Sequence, residues 1–226
     1  MDQVIQDAVS REEFTGSVLV ARGNEVLLDQ GYGLANREWG IPNAGDTKFR
    51  LGSVTKQFTA VAIMLLVEEG KVDLDAPVKT WLPDAPATWD GVTVRHLLSH
   101  TAGIANFTDD ADFLALSTRP ATLEQLIARF RDRPLDFQPG EGWSYSNSGY
   151  ILLTAIIETA SGQSYTDFVT ARLLQPLGMA DSGYDTHAAI LPRRASGYTP
   201  QADGIVNADY ADMTIPRGAG GLYSTT

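Results

Sequence analysis

Two stretches of this chain are apolar at nearly every position, Phe58 to Val67 and Tyr150 to Ala160. Runs of that length exceed an ordinary strand and predict two buried helices, stopped by Gly70 and Gly162. Shorter segments carry apolar residues at helical spacing. Val4, Ile5, Ala8 and Val9 predict an amphipathic helix within 2–13, and Leu123, Leu126, Ile127 and Phe130 predict another from Thr122 to Arg131. Tyr165 to Leu174 reads as a helix capped by Ser164, and Thr93 caps a short one reaching Ser99. Leu74 to Pro83 reads as a short helix between proline stops. Gly16 to Ala21 and Val26 to Gly33 flank the turn Arg22-Gly23-Asn24-Glu25 and predict a β-hairpin. Residues 34–50 and 137–147 read as loops, and 104–121 as a surface loop with a helical piece. From 181 onward Pro192, Gly197, Pro200, Gly204 and Pro216 predict loop-like chain.

Composition narrows the function classes. The 226 residues suffice for one sizeable domain or two small ones, and 43% hydrophobic with 20% charged content suits a soluble globule. A net charge of −11 opposes binding to a phosphate backbone, so nucleic acid is not an expected partner. The longest unbroken apolar run, near Val61 to Val67, is too short for a membrane span, and no basic amphipathic stretch is present. The absence of cysteine removes disulfides, thiolate metal sites and a cysteine nucleophile. Met1-Asp2-Gln3 lacks the basic start and apolar core of a signal peptide, which leaves the compartment open.

The candidate chemistry gathers at the start of the first apolar run, Ser53-Val54-Thr55-Lys56. Residues three apart share a helix face. Ser53 and Lys56 are therefore expected side by side at the first turn, near the unpaired N–H groups and partial positive charge of a helix N-terminus. A serine hydroxyl attacks only when a neighbouring base takes its proton, and a lysine with a pKa lowered by burial can do that. A helix cap is the bland alternative for Ser53. Tyr145-Ser146-Asn147 lies on a glycine-rich loop before the second apolar run. Tyr145 beside a lysine could act as a base and Asn147 could hold a substrate carbonyl; alternatively, the tyrosine packs on the core and the asparagine caps a turn. His96 and His100 stand four apart, but no acidic residue lies between them as in the helical zinc motif, so a structural hydrogen bond is the expected role of His100. Gly218-Ala219-Gly220-Gly221 lacks the lysine and Ser/Thr of a phosphate loop and reads as a tight bend. Trp81, Trp89 and Trp143 are expected in core or rim packing.

Together these stretches resemble a known family. Ser53-Val54-Thr55-Lys56 and its helix resemble the first motif of serine β-lactamases and penicillin-binding proteins. Leu97-Leu98-Ser99-His100-Thr101-Ala102-Gly103-Ile104 is similar to a loop of the class C branch with its esterase and D-aminopeptidase relatives, and Tyr145-Ser146-Asn147 to that branch's second motif. The N-terminal hairpin and Gly220-Gly221-Leu222 are also similar. The resemblance implies an α/β (α+β) fold of β-lactamase/transpeptidase type. A mixed antiparallel sheet, from about 1–50 and 181–226, would pack with a mostly helical part, about 51–180, as one incomplete domain. It implies a cofactor-free, metal-free serine hydrolase acting on an amide, ester or β-lactam bond of a small molecule or short D-peptide. Ser53 would be acylated, its backbone N–H would form half of an oxyanion hole, Lys56 and Tyr145 would share the base and proton-shuttle work, and Asn147 would bind substrate. A periplasmic or secreted location follows by family. One departure stands out: the family's third motif, lysine or histidine, then threonine or serine, then glycine, has no counterpart, since no lysine follows Lys79 and His187 is followed by Ala188-Ala189. The sequence thus reads as truncated before that motif, and loss of one oxyanion donor costs roughly 3 kcal/mol of transition-state stabilisation. Weak or absent activity of 1–226 alone, a binding or sensor role, self-association, or completion by a C-terminal segment are the corresponding expectations.

Overall fold

A computed structural model describes residues 2–226, which cluster into two units. The first comprises 2–50, 188–210 and 223–226. It opens with a helix, Asp2–Ser10. Strands Gly16–Arg22 and Glu25–Tyr32 follow as an antiparallel hairpin, from Gly16 opposite Tyr32 to Arg22 opposite Glu25, with one irregularity after Val20. Asn43 lies so close behind Gly31 that a Cβ there would sit 2.1 Å from the Asn43 carbonyl carbon, which accounts for the glycine.

The stretches expected to be loops carry more structure than their composition signals. Within 34–50, Leu34–Asn36 pairs with Ile41–Pro42, and Phe49–Arg50 pairs with Ser224 and Tyr223. A second hairpin, Tyr198–Gln201 with Gly204–Asn207, occupies the proline- and glycine-rich stretch after 181. Pro200 is tolerated because a two-stranded ladder leaves every strand with an open edge, where a missing N–H costs nothing. Ser196 N–H donates to Ala35 O at 2.8 Å and Lys48 N–H to Arg193 O at 2.9 Å, so residues distant in sequence complete this unit.

The second unit comprises 51–187 and 211–222 and is built on the two apolar helices. The serine helix begins as a 3-10 turn, Gly52–Val54, and continues as α-helix through Thr55–Glu68. Gly70, at φ +67°, turns the chain away. The helix is buried on one side, not all round as its composition suggests: Ala62, Ile63 and Leu66 are inaccessible, whereas Val54, Val61 and Met64 are about half exposed along one stripe. The asparagine helix, Asn147–Ser161, is buried from Ser148 to Ile157 and stops at Gly162, φ +70°. Ser146 caps it by accepting from Gly149 N–H, so Asn147, expected on a preceding loop, is its first residue. In the core Trp89 stacks on Phe130, which Phe107 meets at a tilt, beside Leu126, Leu152 and Ile156.

Thr93 and Thr122 each form a reciprocal capping box, with His96 and Gln125 three residues on. The predicted helix from Tyr165 starts at the Ser164 cap but is α only to Val169, widening to a π-turn over Thr170–Leu174. The expected surface loop at 104–121 is buried in its first part: Ile104, Ala105 and Phe107 are 4%, 3% and 1% exposed. Polar side chains of the asparagine helix satisfy its backbone there, with Ser148 Oγ donating to Ala105 O and accepting from Phe107 N–H.

Candidate active site

Ser53 lies in the 3-10 turn that starts the serine helix, and it is exposed. It caps nothing, because the cap positions of that turn and helix are Leu51 and Val54 and neither uses a side chain. Its hydroxyl instead meets two other groups. Lys56 Nζ donates to Ser53 Oγ at 3.2 Å and Tyr145 OH donates to it at 2.6 Å. Lys56 also donates to Asn147 Oδ1 and to Ala219 O, both at 2.8 Å. The four side chains singled out from sequence thus form one connected hydrogen-bonded cluster, and all of it belongs to the second unit.

Each member is positioned by a local cause. The i, i+3 relation brings Lys56 to Ser53. Thr55, Lys56 and Thr59 are the buried polar residues of the serine helix, and all three hold the segment 218–222. Thr55 Oγ1 accepts from Leu222 N–H, Lys56 reaches Ala219 O, and Thr59 Oγ1 donates to Gly218 O at 2.7 Å. With its own proton used, Thr59 accepts from the Tyr165 hydroxyl at 2.8 Å. Gly218 N–H in turn donates to Thr154 of the asparagine helix. A Cβ at Gly218 would fall 2.6 Å from Thr154 Oγ1 and 2.9 Å from Thr59 Oγ1, so the close approach needs glycine. The stretch read as a tight bend is a one-turn helix, Arg217–Gly220, and what it supplies to the site is a carbonyl. Asn147 is held by Thr108 Oγ1, which accepts from Nδ2 at 3.0 Å, and by Asn106 Oδ1, which accepts from its backbone N–H.

Sequence reasoning missed Ala219, Thr108 and Asn106. A backbone carbonyl has no side-chain signature, and an asparagine two before a threonine looks like an ordinary turn. The signal that could have been read is Thr55-Lys56 with Thr59 inside an apolar run, three polar groups on a face that is otherwise buried.

The electrostatics follow from burial. Lys56 is only 7% exposed, and desolvation pushes its ammonium below the ordinary 10.5, opposed by the Tyr145 hydroxyl. Its nitrogen lies 4.8 Å from the Tyr145 ring centre and 5.2 Å from that of Tyr150. Burial raises the Tyr150 phenol above 10.0, with the Tyr145 charge adding to the effect. His96 and His100 do not join each other: His96 Nδ1 accepts from Thr93 N–H and His100 Nδ1 from Ser146 N–H. Among the described residues no three His, Cys, Asp or Glu side chains are placed to hold a metal, and no helix is long and apolar enough to cross a membrane. Trp81 and Trp89 are core residues, whereas Trp143 is 67% exposed.

Known proteins share this arrangement of chain. The family model described as Beta-lactamase matches residues 1–226. The chain belongs to the beta-lactamase family. This is a family of serine hydrolases that takes in esterases, amidases and penicillin-binding proteins. Esterase EstB of Burkholderia gladioli is 37% identical over 97% of this chain. The penicillin binding protein from Bacillus halodurans superposes with a TM-score of 0.87 at 34% identity, over 98% of this chain and 70% of its own. The D-amino acid amidase from Ochrobactrum anthropi SV3, complexed with L-phenylalanine amide, does so with a TM-score of 0.85 at 31% identity, over 99% of this chain and 65% of its own. The fold is therefore of the β-lactamase/transpeptidase type. The beta-lactamase-family chain spans 59% of the esterase's length, and 38% and 54% of two further relatives.

Proposed function

We propose that this chain carries the nucleophilic centre of a cofactor-free serine hydrolase that cleaves amide, ester or β-lactam bonds of small molecules through an acyl-Ser53 intermediate. The observation that carries the reading is the meeting of Lys56 Nζ and Tyr145 OH on Ser53 Oγ. Asn147 Oδ1 and Ala219 O can only accept, so each requires an N–H from Lys56. A neutral lysine has two N–H groups and one lone pair. With both N–H groups taken by the carbonyls, the lone pair is left facing Ser53, and burial favours that neutral form.

In the acylation step the Ser53 proton passes to Lys56 as Oγ bonds to the substrate carbonyl carbon. The tetrahedral intermediate then expels the alcohol or amine, which leaves with a proton delivered by Lys56 through the Tyr145 hydroxyl. Water repeats the sequence on the acyl-enzyme. Asn147 holds the carbonyl side of the substrate with its amide, and the Ser53 N–H supplies one oxyanion donor. Esters, amides and β-lactams are candidates because the relatives include an esterase, an amidase and penicillin-binding proteins.

Intact-protein mass after exposure to a fluorophosphonate, and separately to a penicillin, tests the reading. One adduct on the wild type and none on Ser53→Ala is expected. A penicillin adduct that decays marks turnover, and one that persists marks a slow acyl-enzyme suited to sensing. No adduct with either reagent on folded protein would sink the assignment for 1–226 and direct the test to the same residues with a complementing C-terminal segment added.

A further inference from the structure

The loop similar to the family's second motif is held by a residue that the mechanism above does not use. His100 has φ +61°, a left-handed conformation that histidine adopts more readily than most side chains. That backbone reverses the chain after the helix Val94–Leu98. It leaves the half-buried imidazole against the Tyr145 ring, centroids 4.6 Å apart and tilted by 34°. The Tyr150 ring lies 5.2 Å from it and the Trp143 ring meets it edge-on at 6.1 Å. Its Nδ1 accepts from Ser146 N–H at 3.1 Å, and its own carbonyl accepts from Ser144 N–H at 3.0 Å. One residue thus fixes the backbone on both sides of Tyr145 and forms a wall for its ring. Because Nδ1 accepts from an amide, the neutral ring carries its proton on Nε2.

We propose that His100 is a positioning residue for the Ser53 centre, its neutral imidazole setting the Tyr145 hydroxyl on Ser53 Oγ and its protonation undoing that setting. This rests on the reading of Ser53 as nucleophile. A protonated Nδ1 would face the Ser146 N–H as donor against donor, so the bond fixing the motif is lost. The charged and titratable groups around the ring are the Lys56 ammonium and the Tyr145 and Tyr150 phenols. Burial, together with the Lys56 charge, holds His100 below its ordinary 6.5 and so keeps it neutral near pH 7.

Three proteins test this: wild type, His100→Asn and His100→Gly. Asparagine tolerates the left-handed backbone and offers an amide oxygen where Nδ1 stood, but it does not titrate. Glycine keeps the backbone and removes the acceptor and the ring. The rate of fluorophosphonate labelling at Ser53 is followed against pH, together with the fluorine NMR signal of fluorotyrosine-labelled protein assigned to Tyr145 by its loss in Tyr145→Phe. Labelling falls with falling pH in every variant as Lys56 protonates; on the acid side of pH 6.5 the wild type should fall more steeply, with the Tyr145 signal moving over the same range. His100→Gly should label about tenfold or more slowly at pH 8 and shift that signal, and His100→Asn should recover most of the rate and keep only the Lys56 limb, without the extra acid-side loss or the signal change. Wild-type labelling and an unmoved signal in His100→Gly, or the extra acid-side loss and signal change kept in His100→Asn, would overturn the proposal. Should the glycine variant fail to fold, the asparagine profile decides. Should even the wild type resist labelling, the hydrolase reading falls, while the Tyr145 signal still reports whether His100 sets the ring.

Discussion

Lys56 is caught between two demands. Its three acceptors favour an ammonium, yet burial pushes its pKa below 10.5. A base depressed in this way is neutral only above its folded pKa. Ser53 labelling should therefore rise with pH and level off short of 10.5, which a pH–rate series on wild type will read. Lys56→Met should cost about 10²- to 10⁴-fold, the usual range for a positioned base. Lys56→Arg should fare no better, because a guanidinium does not deprotonate. The sign for stability follows from proton counting. Between the depressed folded value and 10.5 the unfolded chain binds more protons, so stability is lost as pH falls through that window. His100 acts in the same direction from 6.5 downward. At this scale the sequence was informative where chemistry sits in side chains at fixed spacing, as at Ser53 and Lys56. It was silent on Ala219, which contributes only the backbone oxygen that every residue has.

The serine helix joins burial to chemistry through Thr55, Lys56 and Thr59, which tie it to 218–222. Thr59→Val keeps the shape and removes the hydroxyl, leaving Gly218 O and the Tyr165 hydroxyl without that partner. It should cost about 1–3 kcal/mol in chemical denaturation, the penalty for leaving buried polar groups unpaired. It should also slow Ser53 labelling, because the carbonyl next along the chain from Gly218 is the one that holds Lys56. Elements of this kind were legible where periodicity and caps agree: both apolar helices, the Thr93 and Ser164 caps and the stops at Gly70 and Gly162. The hairpin Tyr198–Asn207 was hidden because Pro200 and Gly204 signal turns whatever partner strand lies nearby. The buried stretch 104–107 was hidden for a different reason, since its backbone is satisfied by Ser148, more than forty residues away. One-sided exposure of the serine helix was equally illegible, because Val61 and Met64 are as apolar as the buried Ile63.

For the whole molecule, the net charge of −11 sets the conditions under which ligands arrive. An anionic penicillin meets a repulsive field that salt screens, with a Debye length of about 10 Å at 0.1 M. Its rate of adduct formation should rise between low and moderate salt, whereas that of an uncharged fluorophosphonate should not; comparing the two probes across a salt series separates field from chemistry. The site itself is assembled from distant parts of the chain. Lys56 binds Asn147 across 91 positions and Ala219 across 163. That separation gives the centre a place in time as well as in space. A ribosome that has just passed residue 200 of this sequence has already released Ser53, Lys56, Tyr145 and Asn147, yet it has not produced the Ala219 carbonyl that holds the lysine. If Ser53 is the nucleophile proposed above, it gains its full set of partners only when residues 217–220 emerge and fold back, and the nascent chain travels without a completed centre until then.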